Sequence, residues 1–439
     1  MAAANNKKTT PPPASWSLKG FIANNTSRFI WFSGIVGVIY LIGKYAQAKL
    51  KEYTDKMAIE RTAKENLRKR FEQNQQDCSY TIISLLPNLS EQLLNGLNVE
   101  AITTKLQQSR KEGASAAPAP PSSAGEKTKM ELWEDVKILS FTRTISAVYL
   151  ITLLTALTHV QLNLLGRFIY LDSVKMFTQK DKEQEVAGDA GPKTGLNIET
   201  ERKFLTLSWY LLNVGWRSCV DRVRLAVDKV IASISLKQQT DYNSILTMLD
   251  QVRAEVDFIN GDQSKPFNLT QYLLPPEGQE SETLREGAPL NQVRPSDPRY
   301  AVDDELLKLL NETRDFLESP DFRLVLHASL DDAFNTLALQ LRPQFFPQTT
   351  TSSSADPKSK ITEIDDETLL RQLRDGESYS VSKEESKVFP LAGVLPAVSR
   401  QAHLVINGSP NHYIQVLTRQ PALMAFSAII YTAFDDPEK

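Results

Sequence analysis

The sequence predicts an all-α protein, an elongated bundle of long helices preceded by one N-terminal transmembrane helix. Apolar residues recur at helical spacing through most of the chain. The alternating β-branched patterns typical of strands are almost absent. An uncharged apolar run, residues 29–43, stands near the N-terminus. Together these observations favour a helical domain carried on a membrane anchor.

The apolar run is short for a membrane span, but its flanks lengthen it. As a helix, residues 29–43 cover about 22 Å, against a hydrocarbon core of about 30 Å. The preceding segment 20–27 carries no charge, and Arg28 and Lys44 can lift their charges to the headgroups. We therefore expect one span from about Ile22 to Ala46. The predicted anchor residues are Phe29, Ile30, Trp31, Phe32, Ile35, Val36, Val38, Ile39, Tyr40, Leu41 and Ile42.

A cleaved signal peptide and a buried helix of a soluble protein are the alternatives to an anchor. A signal peptide is followed by small residues at its cleavage site, whereas a charged stretch follows this run. Flanking cations also occur around core helices, so that alternative stays open. Lysine and arginine are denser after the run than before it, which predicts a cytosolic C-terminal side.

The composition excludes several classes of protein. A net charge of −3 over 439 residues argues against a dedicated nucleic-acid binder, which would carry a basic face. The two cysteines form no CxxC motif, so they fit a reducing compartment and exclude a disulfide scaffold.

The chain divides into three predicted parts. Residues 1–20 read as a disordered leader, 21–46 as the transmembrane anchor and 47–439 as a cytosolic helical bundle domain. In the bundle domain we expect a helix broken at Pro87, a helical stretch over 201–236 and a helix capped by Ser319. Flexible insertions are predicted near residues 111–127, 180–199, 261–298 and 347–387.

A second long apolar stretch lies in the middle of the chain. Residues 144–166 carry no formal charge and are long enough to span a membrane. Four threonines and polar residues such as His159, Gln161 and Asn163 interrupt the stretch. Because such groups are costly in lipid and cheap inside a bundle, we predict a buried central helix.

No pattern of catalytic or metal-binding residues is present. The four histidines lie outside any HExxH or paired cysteine motif, and no nucleophile elbow or phosphate-binding loop occurs. We therefore predict no catalytic residue, no metal, no cofactor and no enzymatic activity.

Binding is better supported, around Trp133. Lys129 and Lys137 lie four residues on either side of this tryptophan, which places all three on one helical face. A tryptophan flanked by cations is typical of a recognition hot spot. A tryptophan at the core edge, covered by lysine stems, would give the same pattern.

Four segments carry a resemblance to a known family: "IYLIGKYAQAKL", "WEDVKILSFTRT", "HVQLNLLGRFIYLD" and "LLKLLNETRDFLESPDF". They resemble, in this order, the peroxisomal biogenesis factor 3 family, and the chain looks like a fungal-like member. The resemblance implies a single-pass peroxisomal membrane protein whose bulk faces the cytosol, and it admits the endoplasmic reticulum as a location during biogenesis. We therefore expect the protein to contact membrane lipid and no nucleic acid.

The resemblance also implies a function and a partner. The family serves as docking receptor for peroxisomal biogenesis factor 19, a soluble chaperone that carries newly made peroxisomal membrane proteins. Fungal relatives also recruit peroxisome inheritance and pexophagy factors. An organelle-surface tether or scaffold for such factors is the alternative function.

The family's groove accepts an amphipathic helix of the carrier. Its tryptophan corresponds to Trp133, its preceding lysine to Lys129 and the following apolar position to Val136, while an upstream leucine matches Leu106. This favours recognition as the role of Trp133. A groove position that is lysine in some relatives is Gly393 here.

Overall fold

The computed structural model describes residues 26–115, 128–183, 196–288, 300–346 and 386–433. The predicted leader and most of the predicted insertions 111–127, 180–199 and 347–387 lie outside these residues. The side chains of the predicted anchor residues also lie outside the described part. For this segment the structure describes only the helical backbone, from Thr26 onward.

The regular secondary structure of the described residues is helical apart from two small sheets, so the all-α prediction is confirmed. The helices are α1 (Thr26–Gly96), α2 (Val99–Ser115), α3 (Lys129–Glu183), α4 (Ile198–Thr206), α5 (Trp216–Ile231), α6 (Tyr242–Asp257), α7 (Glu280–Glu286), α8 (Asp304–Glu318), α9 (Pro320–Phe345), α10 (Leu391–Asn407), α11 (His412–Thr418) and α12 (Pro421–Thr432). The strands are β1 (Gln239–Thr240), β2 (Phe258–Ile259), β3 (Asp262–Pro266) and β4 (Phe389–Pro390), and β1 pairs with β4 and β2 with β3, both antiparallel.

The chain divides into two compact units, Met1–Arg70 and Phe71–Lys439. The first unit contains the N-terminal part of α1. The second contains the rest of α1 and all the other helices and strands. The predicted boundary between anchor and bundle, after Ala46, stays a prediction.

Helix α3 is the centre of the second unit, as the sequence predicted. It packs against α2, α5, α9, α10 and α12, and every residue from Ser140 to Gln161 is buried. Two of its threonine hydroxyls bond within the helix: Thr152 donates to the Val148 carbonyl and Thr155 to the Ile151 carbonyl, each at 2.8 Å. Among the described residues, this is the one helix whose length and composition would suffice to cross a membrane, and 94% of its most apolar window is buried in protein.

Helix α1 does not break at Pro87, which corrects the sequence prediction. The helix continues through this residue to Gly96. Pro87 is exposed, whereas Leu86 and Leu89 on either side are buried in the core. The burial of these neighbours holds the helix together across the hydrogen bond that proline cannot make.

The stretch 201–236 is divided, not one helix. A π-helical turn, Leu211–Gly215, separates α4 from α5. At Gly215 a Cβ atom would lie 2.0 Å from the Tyr272 carbonyl oxygen, so only glycine permits this close backbone approach.

The segment 261–298 is more structured than the sequence predicted. Strand β3, a 3₁₀ turn at Leu269–Tyr272 and α7 lie in its described part. Leu273 and Leu274 are buried with the 3₁₀ turn, and this burial orders the segment. The predicted cap of α9 is confirmed, because the Ser319 side chain accepts the Phe322 N–H at 3.1 Å.

Candidate partner-binding site

The N-terminus of α3 is fixed by a reciprocal capping box. The Thr128 N–H donates to the Glu131 carboxylate at 2.7 Å, and the Glu131 N–H donates to the Thr128 hydroxyl at 3.3 Å. This exchange satisfies two backbone donors that would otherwise lack partners. The helix therefore has a defined start immediately before Trp133.

Trp133 lies one turn into α3, half-buried, and packs against the hydrophobic core. Lys129, one turn earlier, is exposed. Met130 is 61% exposed. Because Met130 precedes Trp133 by three residues, the two share a helical face. This face presents an apolar surface beside the exposed Lys129.

Val136 and Leu106 belong to the core beneath this face. Each is 4% exposed, and both are members of the main hydrophobic cluster. They connect α3 with α2, which pack against each other. In the isolated chain they support the site from within and contribute almost no accessible surface.

Lys137 does not share the exposed face of Lys129, which corrects the prediction from its spacing. Its side chain is completely buried. The ammonium group donates to the carbonyls of Ile234 at 2.7 Å and Ala232 at 3.2 Å, and it pairs with Glu134 at 2.5 Å. The C-terminal cap of α5 and the loop after it approach α3 here, and their carbonyl oxygens accept the N–H groups of the lysine. Lys137 therefore has no accessible surface for a partner.

A second buried cation, Arg143, joins α2 to α10. Its guanidinium donates to both Glu100 carboxylate oxygens, at 2.9 and 2.7 Å, and to the Ser399 hydroxyl at 2.6 Å. His403 adds a contact of 3.3 Å to Glu100. Partial burial is the largest single influence and would raise the pKa of Glu100. The hydrogen bonds from Arg143, from the Glu100 backbone and from His403, together with the charge of Arg143, outweigh it and lower the pKa to about 2. This cluster fixes α2, which carries Leu106, against α3.

Beside α3 and α2, the loop that follows α5 also borders the region around Trp133. The Leu391 N–H donates to the Gln238 carbonyl at 2.9 Å, and the Ala392 N–H to the Leu236 carbonyl at 3.0 Å. The start of α10 is thereby tied to the same loop that accepts Lys137. Gly393 is exposed here, and a Cβ added to it would meet no atom closer than 3.7 Å.

Comparison with known proteins gives one consistent result. A family model described as Peroxin-3 matches residues 20–126 and 114–433. The chain is 32% identical to "Peroxisomal biogenesis factor 3" of Homo sapiens, over 96% of this chain and 98% of that protein. It is 30% identical to the protein of the same name from Yarrowia lipolytica, over 94% and 99%. It is 27% identical to "Peroxisomal membrane protein PEX3" of Komagataella phaffii, over 95% and 98%.

The chain belongs to the Peroxin-3 family. The matches cover both units of the chain and include fungal proteins, in agreement with the resemblance noted in the sequence. The family consists of peroxisome membrane biogenesis factors. Its members are named as peroxisomal biogenesis factors or as peroxisomal membrane proteins.

One histidine and both cysteines of this Peroxin-3 chain lie inside the fold. His159 is completely buried, and burial lowers its pKa to about 4. Cys78 and Cys219 are buried free thiols, and burial raises the pKa of both. Buried neutral groups of this kind behave as packing residues. The described residues contain no group of three or more histidine, cysteine, aspartate or glutamate side chains that could hold a metal ion.

Sequence reasoning missed three features of this end of the Peroxin-3 bundle. The exposed Met130 could have been found from its spacing to Trp133. The Glu100–Arg143 pair joins residues 43 apart, and the contact of Lys137 with the 232–238 loop joins residues about 95 apart. Neither contact could have been found from the sequence. No local pattern reports such contacts.

Proposed function

We propose that this chain is the peroxisomal docking receptor for peroxisomal biogenesis factor 19, the soluble carrier of newly made peroxisomal membrane proteins. The carrier's amphipathic helix binds at the Trp133 end of the bundle, and the function is protein–protein binding without a chemical step. One membrane span, over about residues 22–46, holds the protein in the peroxisomal membrane with the bundle in the cytosol.

The observation that carries this proposal is the face of α3 formed by Met130 and Trp133. Both side chains combine apolar surface with accessibility, since Met130 is 61% exposed and Trp133 half-buried. A helix-in-groove partner needs apolar anchors of this kind, and methionine adapts its shape to the partner. Lys129 stands beside them and suits an acidic residue at the edge of the partner helix.

The rigidity of the surrounding structure supports the same proposal. The capping box fixes the helix start, and the Arg143 cluster fixes α2 and α10. A preformed site loses little conformational entropy when a partner binds, so more of the contact energy appears as affinity. An organelle-surface tether would not require an apolar surface at this end.

The test is a calorimetric titration of the full-length protein in lipid nanodiscs with a synthetic peptide of the carrier's N-terminal helix. Replacement of an aromatic anchor typically costs about 2 kcal/mol or more, so Trp133→Ala should raise Kd by roughly 30-fold or more. Met130→Ala should weaken binding less, because its flexible side chain loses more entropy on docking.

The matched control is Ile198→Ala. Ile198 is 80% exposed on α4, and α4 meets α3 where Gln161 donates to the Phe204 carbonyl at 3.1 Å. That point is about 42 Å along α3 from Trp133. Unchanged binding by Trp133→Ala would remove this face from the docking site. Absence of binding by the folded wild-type protein would contradict the proposal and favour the tether or scaffold for inheritance and turnover factors.

A further inference from the structure

Lys137 is buried more deeply than its charge would lead one to expect. Lysine is almost never fully buried unless it is paired, yet this side chain is 0% exposed. An ammonium group has three N–H donors. Its three acceptors are the Ile234 carbonyl, the Ala232 carbonyl and the Glu134 carboxylate, so the group has no donor left for a partner.

The two carbonyl acceptors lie at a helix end. Ala232 is the C-terminal cap of α5, and Ile234 follows it. Carbonyls at this end of a helix lack intrahelical donors and carry partial negative charge. Lys137 therefore acts as a cap of α5 that is supplied by another helix.

The same loop is held a second time on its far side. The Leu236 and Gln238 carbonyls accept the backbone N–H groups of Ala392 and Leu391. Lys137 thus binds residues 232 and 234 of the loop to α3, and the start of α10 binds residues 236 and 238. The partly buried apolar residues Ile234 and Ala392 lie on these two elements and pack against the core, as Trp133 does on α3.

We infer that Lys137 is a positioning residue for the docking site: it sets the spacing between the Trp133 face and the loop of residues 232–238 without touching the partner. The inference rests on the proposed function. Lys137 lies one turn after Trp133, about 6 Å along the helix axis. Loss of its three donors would release the loop from α3, and the site would then lose its preformed geometry.

The test uses the full-length protein in nanodiscs and the same carrier-helix peptide. Lys137→Met keeps the apolar stem and removes the donors, and we expect it to raise Kd about tenfold, the scale on which coupled neighbours act. Lys137→Arg keeps the charge and should recover most of the affinity. If Lys137→Met does not fold, Glu134→Gln removes only the ion pair and should weaken binding about threefold.

A matched control separates positioning from general stability. Gln161→Leu removes another bond from α3 to a backbone carbonyl, that of Phe204, about 36 Å along the helix from Lys137. It should lower the melting temperature and leave Kd unchanged. Amide hydrogen exchange should accelerate over residues 232–238 in Lys137→Met and not in Gln161→Leu.

A double-mutant cycle decides whether Lys137 acts through the site. In the Trp133→Ala background, Lys137→Met should change Kd by less than about threefold, because the contact it positions is already lost. A full tenfold loss in that background, or wild-type affinity in the single variant, would overturn the inference. Either result leaves the docking function standing if Trp133→Ala still weakens binding. Failure of the wild-type protein to bind the peptide would overturn both.

Discussion

Protonation of His159 should destabilise the bundle as the pH falls below 6.5. The imidazole is completely buried in α3, with Nδ1 3.1 Å from the Ser427 hydroxyl and Nε2 without a partner among the described residues. Burial lowers its pKa from 6.5 to about 4. The native state therefore stays neutral where the unfolded chain already takes up a proton. This contribution to stability is complete above pH 6.5 and is lost as the pH falls towards 4.

The size of the effect follows from the depression of the pKa. A fall from 6.5 to about 4 corresponds to roughly 3 kcal/mol in full and to about 2 kcal/mol at pH 5. Asp332 acts in the opposite direction. Burial, with a smaller contribution from Asp331, raises its pKa to about 6. Because the two effects overlap, the whole-protein pH curve cannot isolate the histidine.

The assay is therefore a comparison of wild-type protein with His159→Leu by urea unfolding at pH 8 and pH 5, using full-length protein in detergent. The variant loses the Ser427 contact at both pH values, so that cost cancels in the difference. We expect the stability gap between wild type and variant to shift by about 2 kcal/mol in favour of the variant at pH 5. Parallel pH profiles of the two proteins would refute the reasoning.

Two further predictions concern packing and the ion-pair cluster. Gly215→Ala should cost about 3 kcal/mol, because its Cβ would stand 2.0 Å from the Tyr272 carbonyl. Gly393→Ala, with 3.7 Å of clearance, should be neutral, and thermal unfolding of both variants checks this; equal melting temperatures would contradict the close approach. Glu100→Gln should cost about 2 kcal/mol at pH 7, less than a fully buried pair because Glu100 is 57% exposed. Since the pKa of Glu100 is lowered to about 2, this cost should persist above pH 4.5 and vanish towards pH 2. An unchanged urea midpoint at pH 7 would show that the burial of Arg143 does not require the ion pair with Glu100.

Much of the fold could be predicted from local pattern. The absence of charge in residues 144–166, together with polar residues that are costly in lipid and cheap inside a bundle, identified the central helix. The Ser319–Pro320 pair predicted a helix start that the structure confirms. The predictions failed where a distant segment decided the outcome, as at Pro87 and at the π-helical turn before Trp216.

The candidate site shows the same division. The spacing of Lys129, Trp133 and Lys137 placed all three on one face, and the family resemblance selected Trp133. The exposure of Lys129 agrees with that spacing, whereas the burial of Lys137 does not. A helical face is defined by one helix, but which part of it is covered depends on the neighbours.

The sequence by itself determined the helical class, the central helix and the tryptophan-bearing helix start, because these depend on periodicity and on groups a few residues apart. Only the tertiary structure decided which cations are internal. Lys137 can be buried because the Ala232 and Ile234 carbonyls and the Glu134 carboxylate accept its N–H groups. Arg143 can be buried because the Glu100 carboxylate of α2 accepts from its guanidinium. The desolvation of a charge is tolerated only where such acceptors converge. Most of these acceptors are far away along the chain, so their convergence is a property of the packed bundle.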